Sequence, residues 1–220
     1  MLNVVVMGPP GAGKGTQADR FAAGRGIPKI STGDILREAV RAGTALGQRA
    51  RAVMERGDLV GDDLIIGIAR ERLARADAAA GFVLDGFPRT VAQAEALDAI
   101  MAGRGPLVVV DIAVADDDLV RRLTSRRVCQ ACGANADPGK GGEPASSCAR
   151  CGGQMVQRAD DREEVIRERL RVYARDTRPL LEYYRARPTF RAIDGSQDPD
   201  RVAAALDAAI VEASRSLGGA

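Results

Sequence analysis

The chain has 220 residues, a length that one compact domain with insertions accounts for. Hydrophobic residues make up 45% and charged residues 28% of it, which excludes a disordered chain, and the 3% aromatic content predicts an aliphatic core. The formal net charge of +2 disfavours a general nucleic-acid or membrane-surface binder.

The first predicted element is a strand over residues 2–7, whose apolar run is typical of a strand buried on both faces. The run is too short for the core of a signal peptide. No segment approaches the roughly 20 apolar residues that a transmembrane helix needs. We therefore expect a cytoplasmic protein with no membrane partner.

A glycine-rich loop follows this strand and opens a helix predicted over residues 13–23. Residues 8–16 read Gly-Pro-Pro-Gly-Ala-Gly-Lys-Gly-Thr. Glycines let the backbone turn successive N–H groups towards phosphate oxygens, the helix N-terminus adds positive potential, and Lys14 adds a point charge. The pattern is unusual in that Gly15 follows the lysine and the hydroxyl stands on Thr16. A plain turn before an ordinary helix is the alternative. The predicted polyphosphate contacts are Gly11, Ala12, Gly13, Lys14, Gly15 and Thr16.

Residues 32–60 carry two short helical patterns, with Gly43 and Gly57 as breaks, and no run that predicts a strand. This pattern indicates a small helical insertion. After it, buried-strand runs and helical patterns alternate. The strands are predicted at 81–85, 107–114 and 189–193, and the helices at 91–101, 119–127 and 161–187. Such alternation predicts an α/β fold with a parallel sheet, helices on both faces and a site at the carboxyl ends of the strands.

All four cysteines lie in residues 128–155, which we call the cysteine segment. Two Cys-x-x-Cys pairs, each followed by glycine, have the spacing of a four-thiolate structural metal site, with zinc preferred over iron. Two disulfides and free thiols are the alternatives, and a reducing compartment disfavours the disulfides. Four sulfur ligands leave no position open for water, so the metal is expected to stiffen the segment. The predicted ligands are Cys129, Cys132, Cys148 and Cys151.

Four motifs follow one another along the chain. They are G-x-x-G-x-G-K-G-T at 8–16, I-S-T-G-D at 30–34, L-D-G-F-P-R-T at 84–90 and R-A-D-D-R-E-E at 158–164. The first alone fits many NTPases, but in this combination the chain resembles the adenylate kinase family. The resemblance implies an α/β fold of the P-loop NTPase type, a parallel sheet flanked by helices, with a helical AMP-binding insertion and a small zinc-stapled lid.

The resemblance also implies how the chain is divided. The core is expected at 1–30, 62–125 and 162–220, the insertion that binds the nucleoside monophosphate at 31–61, and the zinc-binding lid at 126–161. The implied activity is reversible, Mg-dependent phosphoryl transfer, ATP + AMP = 2 ADP, by a monomer whose partners are these nucleotides. Such transfer needs alignment and charge neutralisation and no covalent intermediate, so the absence of His is consistent with it. The implied cofactors are Mg, bound with ATP, and structural Zn.

The family motifs also imply the catalytic residues. They are Lys14, Asp85, Arg89, Arg126, Arg158 and Arg169. Asp85 matches the family's aspartate that orders the water shell of the magnesium, and a cap for the helix after Thr90 is the alternative. Arg127, Arg162 and Arg167 are interpreted as solvated charges, which is the usual fate of an arginine on a helix surface.

The implied AMP site combines the helical insertion, the 84–90 motif and the arginine cluster. Its residues are Thr32, Arg37, Asp58, Leu59, Val60, Gly86, Phe87, Pro88, Arg89, Gln93, Arg158 and Arg169. Gln93 lies one helical turn after Arg89, where its amide can pair with an adenine edge. A solvated surface glutamine and a plain surface charge are the alternatives for Gln93 and Arg37.

On the donor side, the phosphate loop and Arg126 are expected to hold the phosphates of ATP. Many lids of the family carry a tyrosine after the first cysteine pair, to pack on the donor base, where this chain has Asn135 and Ala136. The backbone groups of these two residues, and Gln197 after the last strand, are the candidates for the ATP adenine. Arg122 is a further candidate.

Three rival readings remain open. A kinase for UMP or CMP would share the fold, Lys14 and the arginines, although Gln93 favours AMP. A nucleotide-binding module could use a zinc ribbon on nucleic acid, but residues 132–151 hold two positive and two negative side chains and no aromatic residue. An inactive homologue is disfavoured because the implied catalytic residues are all present.

Overall fold

The computed structural model describes residues 1–136 and 146–216. Its strands are β1 (Leu2–Met7), β2 (Lys29–Ser31), β3 (Gly81–Asp85), β4 (Leu107–Ala113), β5 (Val128–Cys129), β6 (Met155–Val156) and β7 (Phe190–Asp194). Five of them form one sheet in the order β2-β3-β1-β4-β7, with every pairing parallel. The strands β5 and β6 form a separate antiparallel pair in the cysteine segment.

Nine α-helices lie in the described ranges. They are α1 (Lys14–Arg25), α2 (Thr32–Arg41), α3 (Ala45–Arg56), α4 (Asp62–Leu73), α5 (Val91–Met101), α6 (Asp116–Ser125), α7 (Glu163–Val172), α8 (Pro179–Arg185) and α9 (Pro199–Arg215). A π-helical turn, Tyr173–Thr177, joins α7 to α8, and 3-10 turns lie at Ala76–Ala78 and Ala159–Asp161. Within these ranges, no helix is both long enough and apolar enough to cross a bilayer.

The core consists of two apolar layers, one on each face of the large sheet. Because successive strand residues face opposite sides, Val5 and Met7 pack with residues of α4, α5 and α8, whereas Val4 and Val6 pack with residues of α1 and α9. Burial of apolar surface contributes about 25 cal/mol per Å². This burial holds β1 between β3 and β4. It therefore fixes the edge of the sheet where the loops after β1 and β3 begin.

Side-chain caps start two helices directly after strands at this edge. Ser31, the last residue of β2, accepts a hydrogen bond from the Asp34 N–H at 3.2 Å and caps α2. Thr90 accepts one from the Gln93 N–H at 3.2 Å and caps α5. Each cap satisfies an N–H group that the first helical turn leaves unpaired. The N-termini of α2 and α5 therefore lie beside the carboxyl ends of β2 and β3.

The α/β class, the parallel sheet and the P-loop arrangement of strand, loop and helix are confirmed. The strands at 2–7 and 81–85 and the helix at 91–101 have the expected bounds. The strand expected at 107–114 ends one residue earlier, and the one expected at 189–193 is shifted by one residue. The glycine- and proline-rich stretch at 137–145 of the cysteine segment lies outside the described residues.

Three expectations about the elements were wrong. The strand β2 was not predicted, because three residues that begin with a lysine give no apolar run. The helix expected at 119–127 begins earlier, at Asp116, where three aspartates favour the positive end of a helix. The single helix expected at 161–187 is divided into α7, a π turn and α8, and α8 starts at Pro179, whose missing N–H suits a first helical turn.

Candidate functional site

The phosphate loop joins β1 to α1, and three glycines let its backbone turn. Gly8, Gly11 and Gly13 have φ angles of 138°, 89° and 90°, a region that other residues rarely adopt. A Cβ on Gly8 would lie 2.6 Å from the carbonyl oxygen of Ile112, so a side chain does not fit there. The loop therefore leads into the N-terminus of α1, a geometry that suits an anion.

Lys14 lies at the centre of this loop. Its Nζ donates to the carbonyl oxygen of Pro9 at 2.8 Å. Burial lowers the pKa of Lys14 to about 8, although the carboxylate of Asp85 acts in the opposite direction. A desolvated ammonium that donates only to a neutral oxygen is stabilised by any phosphate anion that reaches it.

Asp85 ends β3 and faces the phosphate loop. Its Oδ2 lies 3.4 Å from the point that a Cβ of Gly15 would occupy, so the missing side chain at residue 15 leaves room for the carboxylate. The alternative role for Asp85, a cap for α5, is wrong because Thr90 provides that cap. Carboxylate oxygens are ligands that Mg²⁺ and its bound waters prefer, so the residues at this edge fit a magnesium site.

Gly86 connects the end of β3 with the start of α2. Its carbonyl oxygen accepts hydrogen bonds from Thr32 Oγ1 and from Arg89 Nε, both at 2.8 Å. A Cβ on Gly86 would lie 2.8 Å from an Arg89 nitrogen, so glycine also gives the guanidinium its place. Burial, and then the neighbouring Arg169, lower the pKa of Arg89 to about 10. Arg89 is therefore a desolvated cation at the mouth of the phosphate loop.

Gln93 is buried, with 1% of its surface exposed, so the surface alternative is wrong. Its Oε1 accepts from the Arg89 N–H at 2.8 Å, and its Nε2 donates to Asp62 Oδ1 at 2.7 Å. Asp62 is fixed in turn by Thr90 Oγ1, which donates to its other oxygen at 3.0 Å. A primary amide has two N–H groups and two acceptor positions. One of each is still available at Gln93 for a base edge.

A cavity opens at the carboxyl ends of β1 and β3, bounded by residues of α2, α3, α5 and α7. It brings together most of the expected AMP residues with the phosphate-loop lysine. They are Lys14, Thr32, Arg37, Asp58, Leu59, Val60, Gly86, Pro88, Arg89, Gln93 and Arg169. Two expected members lie elsewhere: the Phe87 side chain is buried in the core, and Arg158 contacts Asn135.

Sequence reasoning missed the apolar and tyrosine side of this cavity. Those residues are Leu36, Met54, Ile65, Val172, Tyr173 and Thr177. Apolar residues on helices are normally core residues, so nothing in the sequence marks them as a wall. The π turn that places Tyr173 and Thr177 has no sequence signal of its own, although such turns are frequent at functional sites.

Two aspartates just before α7, the partly buried Asp160 and the buried Asp161, hold arginines of the site. Asp161 has no exposed surface, and it accepts from Arg126 Nε at 2.7 Å and from Arg169 Nη1 at 3.1 Å. Asp160 Oδ2 lies 3.1 Å from the same Arg169 nitrogen. The sequence motif at 158–164 contains both aspartates, but it gives no reason to assign them a role. Burial, and then the nearby Arg37, lower the pKa of Arg158 to about 9, so this arginine is a further desolvated cation.

The residues expected at the donor adenine contact different partners. Asn135 Oδ1 accepts from Arg158 Nη2 at 3.1 Å, and the Ala136 N–H donates to the Arg127 carbonyl at 2.9 Å. Gln197 is exposed and donates to Asp194 Oδ2 at 3.3 Å. Arg122 Nη1 donates to the Gly195 carbonyl at 2.9 Å, which places Arg122 beside the loop that carries Gln197.

The four cysteines of the cysteine segment converge, and their sulfur atoms all lie within 4.8 Å of one another. The Cys129–Cys151 and Cys132–Cys148 sulfur pairs are 3.4 and 3.7 Å apart, and the four cysteines are free. A tetrahedral ion with sulfur ligands at about 2.3 Å has sulfur–sulfur edges of about 3.8 Å. The arrangement therefore fits a four-thiolate zinc ion.

Glycines and backbone N–H groups shape both cysteine turns. The N–H of Cys132 donates to Cys129 Sγ at 3.4 Å, and this hydrogen bond lowers the pKa of the Cys129 thiol to about 6. A Cβ on Gly153 would lie 2.9 Å from the same sulfur. The first turn therefore favours a thiolate at Cys129, and a thiolate is the form that binds a metal.

A parallel sheet whose first strand leads through a glycine loop and a lysine into a helix defines a P-loop nucleotide-binding protein. Comparison with known proteins is more specific. The adenylate kinase family model matches residues 6–189. The adenylate kinase of Archaeoglobus fulgidus is 47% identical over 208 residues, which cover 91% of this chain and 94% of the relative. For Geobacillus sp. (strain WCH70) the identity is 50% over 208 residues, 91% and 94% of the two chains, and for Moorella thermoacetica 48% over 227 residues, 99% and 98%. The chain belongs to the adenylate kinase family and is a nucleoside monophosphate kinase.

Proposed function

We propose that the chain catalyses the reversible reaction ATP + AMP = 2 ADP. The observation that carries this proposal is the cavity in which Lys14, Arg37 and Arg89 converge beside the buried amide of Gln93. The cations suit the phosphates of two nucleotides, and the amide suits one adenine edge. The family to which the chain belongs supports the same reaction.

The chain is proposed to act by positioning and charge neutralisation. The phosphate loop and Lys14 hold the transferring phosphoryl group, and four arginines neutralise the charge that spreads over its oxygens. Those arginines are Arg89, Arg126, Arg158 and Arg169. Because Asp160 and Asp161 hold two of them in place, little reorganisation is needed when the transfer occurs. No side chain forms a covalent bond with the phosphoryl group.

The AMP subsite is proposed to comprise the expected residues, with Phe87 acting through its backbone. Gln93 reads the base, while Arg37 and Arg89 hold the phosphate. The Asp58–Val60 stretch would contact the base from the opposite side of the cavity. Asn135, Ala136 and Gln197 remain the proposed residues of the donor subsite.

Magnesium would be held near Asp85, through its bound waters. Bound with ATP, the ion would neutralise part of the phosphate charge. The contribution of this chain is to keep Asp85 over Gly15, where the missing side chain at residue 15 leaves room for the carboxylate.

We also propose the division into three parts. The core comprises 1–30, 62–125 and 162–220, the AMP-binding insertion 31–61, and the lid 126–161. The lid would hold a zinc ion on its four cysteines as a structural element. The position of α2 and α3 between β2 and β3 in the sequence, and of the β5–β6 pair between α6 and α7, supports the two insertions. A cytoplasmic location is proposed because free thiols suit a reducing compartment, and a monomer is proposed from the family resemblance.

A coupled assay for ADP tests the reaction. With MgATP as donor, we expect AMP to be used at least about 100-fold more efficiently than CMP, UMP or GMP, since a buried amide left without its base partner is costly. Failure to form ADP with any acceptor would refute the kinase. Preference for CMP or UMP would instead assign a kinase for another monophosphate.

A pair of matched variants sharpens this assay. Gln93→Met keeps the length of the side chain and removes its amide, so the preference for AMP should fall by about tenfold or more. Gln48→Met changes an exposed glutamine of α3 in the same manner and should leave the preference unchanged. Equal effects of both would show that Gln93 does not read the base.

A further inference from the structure

The side chain of Asn135 lies between Arg158 and the phosphate loop. Its Oδ1 accepts a hydrogen bond from Arg158 Nη2 at 3.1 Å. Its Nδ2 lies 3.9 Å from the point that a Cβ of Gly15 would occupy. One carboxamide therefore spans the gap between a cation of the lid and the backbone that follows Lys14.

The orientation of this carboxamide is determined by its partner. A guanidinium donates hydrogen bonds and accepts none, so Asn135 must turn its oxygen towards Arg158 and its NH₂ group away from it. The NH₂ group then faces the space above Gly15, which the carboxylate of Asp85 borders at 3.4 Å from the same point. A neutral donor is thus aimed at the place where the phosphate loop exposes its backbone.

The position of Asn135 follows from the fold of the cysteine segment. It forms a bridge with Val128 of β5. On either side of it, the Ala134 carbonyl accepts from the Cys129 N–H at 2.8 Å, and the Ala136 N–H donates to Arg127. Since Cys129 belongs to the sulfur cluster, the structure that would hold the metal also places this carboxamide.

We propose that the side chain of Asn135 is a phosphate-binding and positioning residue of the kinase. Its Nδ2–H donates to a phosphate oxygen of MgATP above Gly15, while its Oδ1 keeps the Arg158 guanidinium aligned with the transferring group. The role differs from a backbone contact with the adenine, because it acts at the phosphate end of the donor. It rests on the proposed function for the identity of the nucleotide.

Two substitutions separate the two halves of this role. Asn135→Ala removes both the donor and the partner of Arg158, and we expect the Kd of MgATP to rise about fivefold. Asn135→Asp keeps an acceptor for Arg158 but turns a negative oxygen towards the phosphates, so the Kd should rise further, about 30-fold. If Asn135 served only to hold Arg158, the aspartate would bind MgATP as well as the wild type, and the proposal would fail.

The Kd is measured by titration calorimetry without AMP, so the result does not depend on turnover. Gln130→Asp is the matched control, because it makes the same charge change on an exposed side chain of the first cysteine turn. We expect its Kd to stay within about twofold of the wild type. A weakening equal to that of Asn135→Asp would show a general charge effect and overturn the assignment. Absence of ADP formation in the wild type would count against the proposed reaction while leaving this comparison intact.

A double-mutant cycle tests the positioning half through kcat. We expect Asn135→Ala to lower kcat about fivefold in the wild-type background and less than about twofold in an Arg158→Lys background, because coupled residues are not additive. Equal losses in both backgrounds would show that Asn135 does not act through Arg158. Melting temperatures confirm that each variant is folded. Should the aspartate variant not fold, the alanine variant and this cycle decide the question.

Discussion

Two clusters of like-charged groups in this molecule differ in what can neutralise their charge. In the nucleotide cavity, Lys14 and Arg89 each donate to a backbone carbonyl, and Arg158, which is not among the cavity residues, donates to the carboxamide of Asn135. All three have lowered pKa values, because burial disfavours their charged forms. Neutral partners leave these cations free to bind an anion. We call Lys14, Arg89 and Arg158 the open cluster.

The four cysteine sulfurs form the second cluster, which we call the closed cluster. They surround a space of the size that one tetrahedral ion fills, and the turns around them supply N–H donors to the sulfurs. Four sulfurs complete the coordination of a zinc ion, so no position is left for exchange. Both clusters bring charges of one sign close together. Such a cluster suits a substrate site where the neutralising ion can leave, and a structural site where that ion is fully enclosed.

Chelation of the proposed zinc ion tests the closed cluster and has the largest expected effect. Zinc contributes on the order of 10 kcal/mol to the folding of small modules that depend on it. Besides the cysteines, the described residues of the proposed lid are joined by a two-residue antiparallel ladder, two isolated bridges and the contact of Arg126 with Asp161. We therefore expect a chelator to lower the melting temperature of the lid by tens of degrees, measured by hydrogen exchange of the Val128 and Val156 amides.

The rate distinguishes a structural from a catalytic ion in the same experiment. At temperatures where the lid without metal is still folded, turnover should be preserved, and added zinc should restore the melting temperature. Immediate loss of turnover with an unchanged circular dichroism spectrum would contradict the comparison, because it would mean that the metal takes part in the chemistry.

Lys14→Met removes one cation from the open cluster. We expect kcat/KM to fall by about 100- to 1000-fold, as for the loss of one preorganised donor at a transition state. The fold should be retained or slightly stabilised, since the variant no longer buries a charge and loses only the hydrogen bond to Pro9. Arg20→Met, on an exposed face of the same helix, is the control. Comparable losses in both variants would disprove the special role of Lys14.

Much of this comparison could be predicted from the sequence. The glycine loop and the paired cysteines are local patterns, in which a few neighbouring residues determine both backbone and chemistry, and the structure brings each set together as expected. The parallel sheet was equally accessible, because its long strands are continuous apolar runs. Short β2 and the π turn were not, since three-residue strands and helix irregularities depend on tertiary packing.

The hydrogen-bond partners of the site residues could not be predicted from the sequence either. Asp161 and Asp62 are ordinary acids in the sequence, yet one holds Arg126 and the other holds Gln93. Their roles arise from segments that are 35 and 31 residues apart. Likewise, the side chain of Asn135 is directed at the phosphate end by its contact with Arg158, which no spacing in the sequence reveals.

A smaller effect is expected where the helical insertion meets α7, the helix that carries Arg169. Gly57 ends α3 with a φ of 86°, and a Cβ there would lie 2.9 Å from Arg169 Cγ and 3.1 Å from the Val165 carbonyl. Gly57→Ala should therefore push the insertion away from α7, raise the KM for AMP about tenfold, and cost about 1–3 kcal/mol of stability.

Gly43→Ala separates backbone strain from the steric contact. Gly43 has a φ of 64° in the same insertion, but no atom lies within 4 Å of its Cβ position. We expect it to lose stability as Gly57→Ala does while the KM for AMP stays unchanged. An equal rise in KM for both variants would show that strain alone, and not the approach to Arg169, controls AMP binding.

The pH dependence gives the finest test, because burial brings the pKa of Lys14 close to the working range. The pKa of Lys14 in the unliganded chain is about 8, against an ordinary value of 10.5. Since kcat/KM follows the protonation state of the free enzyme, it should fall up to about tenfold for each unit above that pKa. Lys14→Arg keeps the charge at residue 14. It should abolish this alkaline limb, the fall of kcat/KM above the pKa of Lys14, at a lower overall rate.

Stability must change in the opposite sense if this explanation is correct. Between pH 8 and 10 the unfolded chain binds more protons at Lys14 than the folded chain, so the contribution of this group to the free energy of unfolding rises with pH. Activity is therefore lost while Lys14 itself makes the fold more stable. A wild-type melting temperature that falls in parallel with kcat/KM, and equally in Lys14→Met, would attribute the limb to unfolding and not to the open cluster.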